Sequence, residues 1–432
     1  MMRQCCLVFG LCILMSVAAY AQDLGPVITV TDDVGPQQFP DVAYNSADDS
    51  FLVVWENALA ERVFMIEGVL LDGSSGEPIG EPQIFLDAEG GYEAPAVVYN
   101  SADNEFVVMA RRIINQNATV VRVSAQGELL GDPIELGSAG GPTFFDPAAR
   151  ARVAAMAYNA ADNQYLAALG GPMTAQTLFS DLSLDFPLDQ FGNGTNPAAA
   201  WSSQSNVYLV AFEDRESRDT GAENLSAQLI AANGDLIGET IRVRDQAFAE
   251  ESPRVAYNPL DEEFLVIWDE RIGFDEDADP QTLTDVIGYR ITPQGELLGE
   301  PIGIEQDTAY SLRQDIDFNA LNEKYLVVFK GDESGNFAFA DILGRVIGRS
   351  GALEMPLFEI YDSGDNEDED LQSERYFDES KLPVVEAREG SGAFLVVWEE
   401  AGLEGDPEQR NILARFVNLP VDTVTCDWPM YE

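Results

Sequence analysis

Histidine is absent from the 432-residue chain, and that gap alone removes several chemistries. Ser-His-Asp and Cys-His nucleophile systems, histidine-ligated zinc, proximal-histidine haem and protonation switching near neutrality all need an imidazole. Basic charge is also scarce: Lys+Arg total 24 against Asp+Glu 76, a formal net charge of −52, and the lysines are Lys324, Lys330 and Lys381 alone. Nucleic acid is excluded on that ground, because phosphate neutralisation requires a basic patch. Of the four cysteines, Cys5, Cys6 and Cys12 crowd into the first twelve residues, which leaves Cys426 without an internal partner once that segment is removed. What the chain does have is a hydrophobic content of 46%, ordinary for a folded protein, so its charge does not make it disordered.

The first residues read as a secretory signal. Arg3 precedes an apolar run from Cys5 to Ala18, too short to span a bilayer, and Ala19-Tyr20-Ala21 forms an A-x-A cleavage site. Cleavage after Ala21 starts the mature protein at Gln22, secreted or periplasmic, with no transmembrane segment. The rival is a lipoprotein anchored through Cys12, but Leu11 is bulky where a small residue is wanted.

One pattern then recurs along the whole mature chain. Its first copy runs Val42-Ala43-Tyr44-Asn45-Ser46-Ala47-Asp48-Asp49-Ser50-Phe51-Leu52-Val53-Val54-Trp55-Glu56. Two aromatic marks stand seven apart in each copy: Tyr44 with Phe51, Tyr99 with Phe106, Tyr158 with Tyr165, Trp201 with Tyr208, Tyr257 with Phe264, and Phe318 with Tyr325. A seventh copy has Ala387 before Phe394. The mean period is roughly 57 residues. Each copy holds a hairpin with an Asn-x-x-Asp turn, then a second hairpin, best seen around Gln126-Gly127-Glu128-Leu129-Leu130-Gly131 and Gln294-Gly295-Glu296-Leu297-Leu298-Gly299. Helical periodicity is absent. Four antiparallel strands per copy predict an all-β fold, a seven-bladed β-propeller over 22–420, with a C-terminal tail at 421–432. The last copy lacks a fourth strand, and Pro26-Val27-Ile28-Thr29-Val30-Thr31 matches the fourth strands elsewhere, so the ring is expected to close by pairing this N-terminal strand into the last blade.

Through these Ala-Tyr-Asn…Leu-Val-Val-Trp-Glu repeats the chain resembles secreted bacterial β-propeller repeat proteins, and more loosely the WD40 class, over about residues 26–420. The resemblance implies the fold and no particular function, since propellers host enzymes, lectins and docking platforms alike. Neither a Ser-x-Asp-x-Gly-x-x-Trp box of the sialidase type nor the kelch Gly-Gly pattern is found.

With strands running up and down in order, the short first-to-second turns share one face, and the long, unequal, acidic connections share the other. Variable loops on a uniform scaffold point to the second face as the binding face. Asp275, Asp277, Asp279 and Asp285 form a loose candidate calcium site, although Pro280 stands where an EF-hand turn wants glycine. The run Asp365-Asn366-Glu367-Asp368-Glu369-Asp370 reads as a solvated block, because adjacent like charges repel. Arg112, Arg215 and Arg271, near the ends of second strands, are candidates to clamp a carboxylated sugar, or else pair with neighbouring Asp and Glu. Glu56, Glu213, Asp214, Asp269, Glu270 and Glu399 mark where a glycosidase pair could lie, yet their recurrence argues for a structural role. No catalytic residue is assigned. The expectation is a non-catalytic scaffold binding a glycan, a cation-bridged surface or a protein; a carboxylate-dependent polysaccharide hydrolase or lyase and a structural envelope component are the alternatives. Self-repulsion at this net charge predicts stability that rises with NaCl, read as a higher urea midpoint.

Overall fold

The computed structural model describes residues 22–32, 35–60, 63–140, 154–187, 190–214, 224–244, 249–274, 282–306, 310–332, 341–362, 382–401 and 410–421. The expected signal segment and the tail beyond 421 lie outside them. Among the described residues there are strands and no helix. The N-terminal strand is β1 (Asp23–Thr31). Next come β2 (Gln37–Asn45), β3 (Ser50–Ala60), β4 (Val63–Asp72) and β5 (Pro78–Leu86), then β6 (Tyr92–Asn100), β7 (Glu105–Arg112), β8 (Asn117–Ser124) and β9 (Ile134–Ser138). The middle of the chain supplies β10 (Ala154–Asn159), β11 (Gln164–Leu169), β12 (Gly171–Phe179), β13 (Leu184–Pro187), β14 (Gly192–Ser202), β15 (Val207–Asp214), β16 (Asn224–Ala231) and β17 (Leu236–Arg244). After it follow β18 (Glu250–Asn258), β19 (Glu263–Phe274), β20 (Thr282–Ile291) and β21 (Leu297–Glu305), then β22 (Tyr310–Asn319), β23 (Lys324–Asp332), β24 (Asp341–Gly348) and β25 (Phe358–Tyr361). The last three are β26 (Val384–Ala387), β27 (Ala393–Ala401) and β28 (Arg410–Asn418).

Strands pair with their sequence neighbours, antiparallel throughout, and β1 pairs with β28, so the first and last strands share a sheet in the order β1-β28-β27-β26. The innermost strands β2, β6, β10, β14, β18, β22 and β26 pack side by side in that order, and β26 returns to β2. The sheets therefore stand around a common axis as four-stranded antiparallel blades of a β-propeller. The expected count of seven separate sheets needs correction: there are five sheets of four strands and one of eight. In the eight-stranded sheet the start of β12, Gly171–Met173, pairs with Gly192–Gly194 of β14 and fuses two repeats. Gly192 packs against the Phe212 ring there, which would lie 2.9 Å from a Cβ.

Second strands are apolar at successive positions through their middles because both faces are covered there. Phe51, Val53 and Trp55 join Leu395 and Ile412 of the last sheet in one buried cluster, while Leu52 and Val54 join Val97 and Phe106 of the following sheet in another. The core is thus an annulus of separate clusters between blades. The seven-residue aromatic spacing follows from register. Tyr44 lies directly opposite Phe51 across the hairpin, ring centroids 4.8 Å apart, and Tyr99–Phe106 at 5.4 Å and Phe318–Tyr325 at 4.6 Å repeat the contact.

The Asn-x-x-Asp turns do more than reverse the chain. Asn45 Oδ1 accepts from the N–H groups of Ala47 and Asp48 at 2.9 and 3.0 Å, and Asn45 Nδ2 donates to Asn104 Oδ1 of the next repeat at 2.9 Å. Asn100 to Asn163 at 2.9 Å and Asn159 to Asn206 at 2.8 Å continue this belt around the turn face. Asn104, Asn163 and Asn206 hold φ of 53°, 51° and 54°, a left-handed conformation that asparagine tolerates better than most residues. Asn163→Ala, which loses both the belt bond and that tolerance, is expected to cost about 1–2 kcal/mol in urea unfolding.

Candidate functional site

At the opposite face, where the innermost strands begin, five of the seven, β2, β6, β14, β18 and β22, carry a bulge with a non-glycine residue at positive φ: Phe39, Ala94, Asn196, Ser252 and Arg313, with φ between 49° and 64°. In four of them proline follows (Pro40, Pro95, Pro197, Pro253), which has no N–H to leave unsatisfied. The freed N–H of the bulge residue is taken by a carboxylate at the end of the preceding blade's second strand. Ala94 donates to Glu56 at 2.6 Å, Ser252 to Glu213 at 2.7 Å, Arg313 to Asp269 at 3.4 Å, and Phe39 to Glu399, from the last repeat to the first, at 2.6 Å. Glu213 also accepts from Thr195 Oγ1 at 2.8 Å and Asn196 Nδ2 at 2.6 Å. These carboxylates are buried and act as staples between blades. Asp214 and Glu270 are committed as well: Ser226 donates to Asp214 at 3.0 Å, and Arg244 grips Glu270 with two bonds of 2.6 and 2.8 Å. Each of these six acids is thus engaged by partners within the scaffold.

The bulges frame a small depression with room for about one water molecule. Phe39, Pro40 and Pro95 line one side and Leu382, Pro383 and Val384 another, with Arg254 and Arg313 completing it. Because β2, β6, β18, β22 and the approach to β26 all contribute, the depression lies on the propeller axis, at the mouth of the central channel. Arg254 and Arg313 are both 6% exposed. Arg254 Nε lies 3.6 Å from Asp315 Oδ1 and its Nη1 donates to the Pro253 carbonyl at 2.7 Å. Burial pushes the Asp269 carboxyl well above the usual carboxylate range despite the opposing pull of Arg313.

Further down the channel a second set of acids joins blades. Asp41 accepts from Val97 N–H at 2.8 Å, Asp315 from Val385 at 3.0 Å, Asp317 from Ala387 at 2.8 Å and Glu386 from Tyr44 at 3.1 Å. Burial, aided by neighbouring carboxylates, raises Asp317 to about 7 and lifts Glu386 well above its ordinary value.

The residues singled out from sequence are not brought together. Arg112 donates to Glu135 at 2.8 Å and Arg271 lies 2.7 Å from Glu251, so these two make local ion pairs at different blades; Arg215 lies outside the described residues. Asp275, Asp277 and Asp279 also lie outside them, and Asp285 is a buried β20 residue that accepts from Gln306 at 3.2 Å. Among the described residues no group of three or more acidic, His or Cys side chains is arranged to hold a metal ion, and no helix is long and apolar enough to cross a membrane. Arg254 and Arg313 were missed, although a signal existed. In five of the seven copies proline stands four residues before the first mark, at Pro40, Pro95, Pro197, Pro253 and Pro383, and arginine follows it only at 254.

No family model matches the chain, and no curated protein matches it. Among solved structures it is similar to the GH93 α-L-arabinofuranosidase of Fusarium graminearum in complex with arabinobiose, at 11% identity over 92% of this chain and 98% of that one, TM-score 0.52. The Cps50 (Swd1) β-propeller domain of Myceliophteria thermophila matches at 12% identity over 90% and 99%, TM-score 0.48. At such identities the likeness is one of fold, and the class it defines is the β-propeller.

Proposed function

We propose that the chain is an exported, non-catalytic β-propeller scaffold that binds its ligand at the axial mouth on the face opposite the turn belt. The finer architecture we propose is seven blades, two of them fused in the eight-stranded sheet, with β1 completing the last. The observation that supports a binding role over a hydrolytic one is the use of the recurring acids as staples. Glu56, Glu213, Asp269 and Glu399, where a hydrolase pair would be sought, each receive a backbone N–H from the adjoining blade. A repeated structural duty and a single catalytic one are opposed demands on the same side chain.

One observation favours a hydrolase as the second reading. The raised carboxyl of Asp269, whose Oδ1 has no hydrogen-bond partner, sits beside the axial arginines, and a protonated carboxyl is what a general acid requires. The likeness to an arabinofuranosidase makes arabinan the substrate to include. The test incubates the mature chain with insoluble and acidic polysaccharides and arabinan, with and without calcium, and follows co-sedimentation and released reducing ends together. Sedimentation without release is the expected outcome; release that Asp269→Asn abolishes would establish the enzyme instead.

A further inference from the structure

We propose that Asn233 is a site of spontaneous covalent modification, at which the backbone nitrogen of Gly234 displaces the side-chain amide and leaves aspartate or isoaspartate in the turn between β16 and β17. The site stands apart from whatever ligand the scaffold takes.

Asparagine followed by glycine is the pair most open to this reaction, because no Cβ screens the attacking nitrogen. The chain holds two such pairs, Asn193-Gly194 and Asn233-Gly234, and the fold treats them oppositely. Asn193 lies in β14 opposite Pro172 of β12, and Gly194 is paired on both sides, with Gly171 and with Asp214 of β15. A Cβ on Gly194 would collide with the Glu213 carbonyl oxygen, so the fused sheet leaves no room for a new ring there. Asn233 is exposed, at the tip of an outer hairpin.

The repeat supplies a second comparison. The same turn recurs at 124–127, 231–234, 292–295 and 348–351, with its glycine at φ of 83°, 88°, 86° and 86° and donating to the carbonyl three residues back at 2.8 to 2.9 Å. Before that glycine stand Gln126, Asn233, Gln294 and Ser350, and only at 233 does attack on the side chain close a five-membered ring. The bracing of the turns differs as well. Ser124 Oγ accepts from the N–H groups of Gln126 and Glu128 at 3.2 and 3.1 Å, and Thr292 Oγ1 from those of Gln294 and Glu296 at 3.3 and 3.1 Å. Ala231 has no hydroxyl to offer, and Asn233 Oδ1 takes the Asp235 N–H at 3.3 Å instead. Attack requires the Gly234 N–H to leave the Ala231 carbonyl. A less braced outer turn opens at small cost, whereas freeing Asn193 means parting β14 from both β12 and β15.

The Gly234 nitrogen, its proton taken by hydroxide, bonds to Asn233 Cγ; the Cγ–Nδ2 bond breaks, and ammonia leaves with a proton from water. Water then opens the succinimide at either carbonyl, giving aspartate or, with a methylene added to the main chain, isoaspartate. The net change is water in and ammonia out. Asn233 Nδ2 donates to Asp235 Oδ2 at 2.8 Å, so either product replaces that bond with two neighbouring carboxylates.

The experiment holds the folded mature chain in mildly alkaline buffer, made with water enriched in heavy oxygen so that conversion before digestion is marked, and maps peptides by mass over time. The peptide holding Asn233 is expected to gain one mass unit plus the oxygen label and to split into aspartate and isoaspartate forms. The peptide holding Asn193 should convert at least about tenfold more slowly, and those holding Gln126 and Gln294 should stay unchanged. In urea the two Asn-Gly pairs should react alike. Asn233→Gln, which copies the neighbouring turns, should abolish the gain. No conversion at Asn233 in the folded chain overturns the inference, as does aspartate without isoaspartate, which excludes the succinimide. Asn193 keeping pace with Asn233 when folded, or the same difference persisting in urea, overturns the assignment of the selectivity to the fold.

Discussion

Glu213→Ala is expected to lower the unfolding free energy by about 3 kcal/mol, because it strips the acceptor from two buried donors and one half-buried donor at once. Ser252 N–H, Asn196 Nδ2 and Thr195 Oγ1 all end on this carboxylate, at 2.7, 2.6 and 2.8 Å. Each orphaned donor loses a bond without regaining water, which is why the loss exceeds the net worth of an ordinary hydrogen bond, about 1 kcal/mol. Glu213→Gln keeps one carbonyl acceptor and should lose roughly half as much. The comparison is Arg271→Ala: its partner Glu251 is at 2.7 Å, but the arginine side chain is 46% exposed, so the cost should stay below about 1 kcal/mol. Urea unfolding of the three variants decides the matter. A loss in Glu213→Ala no larger than in Arg271→Ala would show that the carboxylate does not staple the blades.

Stability is expected to fall as pH rises from about 4 to 7, the reverse of the usual acid denaturation. Asp317 is raised to about 7 and Glu386 is raised too, in both cases chiefly by burial, and each adds to the other's shift. A carboxyl whose pKa is higher folded than unfolded holds its proton preferentially in the native state. Its contribution is therefore complete below the unfolded pKa and disappears as pH climbs through the folded one. The groups facing this pair are Asp41 and Asp315, across the channel wall, and Glu389. The fall should be on the order of 3 kcal/mol between pH 4.5 and 8. Measuring in about 1 M NaCl suppresses the general repulsion of a −52 chain, and Asp317→Asn with Glu386→Gln should flatten what remains. A slope unchanged in that double variant would place its origin elsewhere. Below pH 4 the trend reverses, since Asp49 and Asp261, held low by Arg388 and Arg349, lose their partners' grip when protonated.

The repeat was legible because its marks face one another. Tyr44 and Phe51 touch across a hairpin whose turn length is fixed by Asn45, so spacing in the chain maps directly onto contact in space. The role of Glu56, Glu213, Asp269 and Glu399 was legible for the same reason, recurrence at one offset. The fusion at Gly171–Met173 was not, because nothing in an apolar strand announces that it will continue beyond its own hairpin to meet Gly192–Gly194. Nor was the axial mouth. Arg254 and Arg313 are separated by a whole repeat, and only the return of β26 to β2 brings their strands around the same opening as Phe39 and Pro95. Arg112 and Arg271 drew notice because they sit in charged company, and that company is what occupies them.

The pairing of β1 with β28 also sets a timetable. The strand made first, Asp23–Thr31, finds its partner only when Arg410–Asn418 has been synthesised, and at ribosomal rates of about 5–20 residues per second that delay is on the order of tens of seconds. Until then β1 presents bare edges that any passing extended chain can join. A polypeptide cut short before Arg410 would keep its edge open permanently, so this one sheet distinguishes finished molecules from fragments.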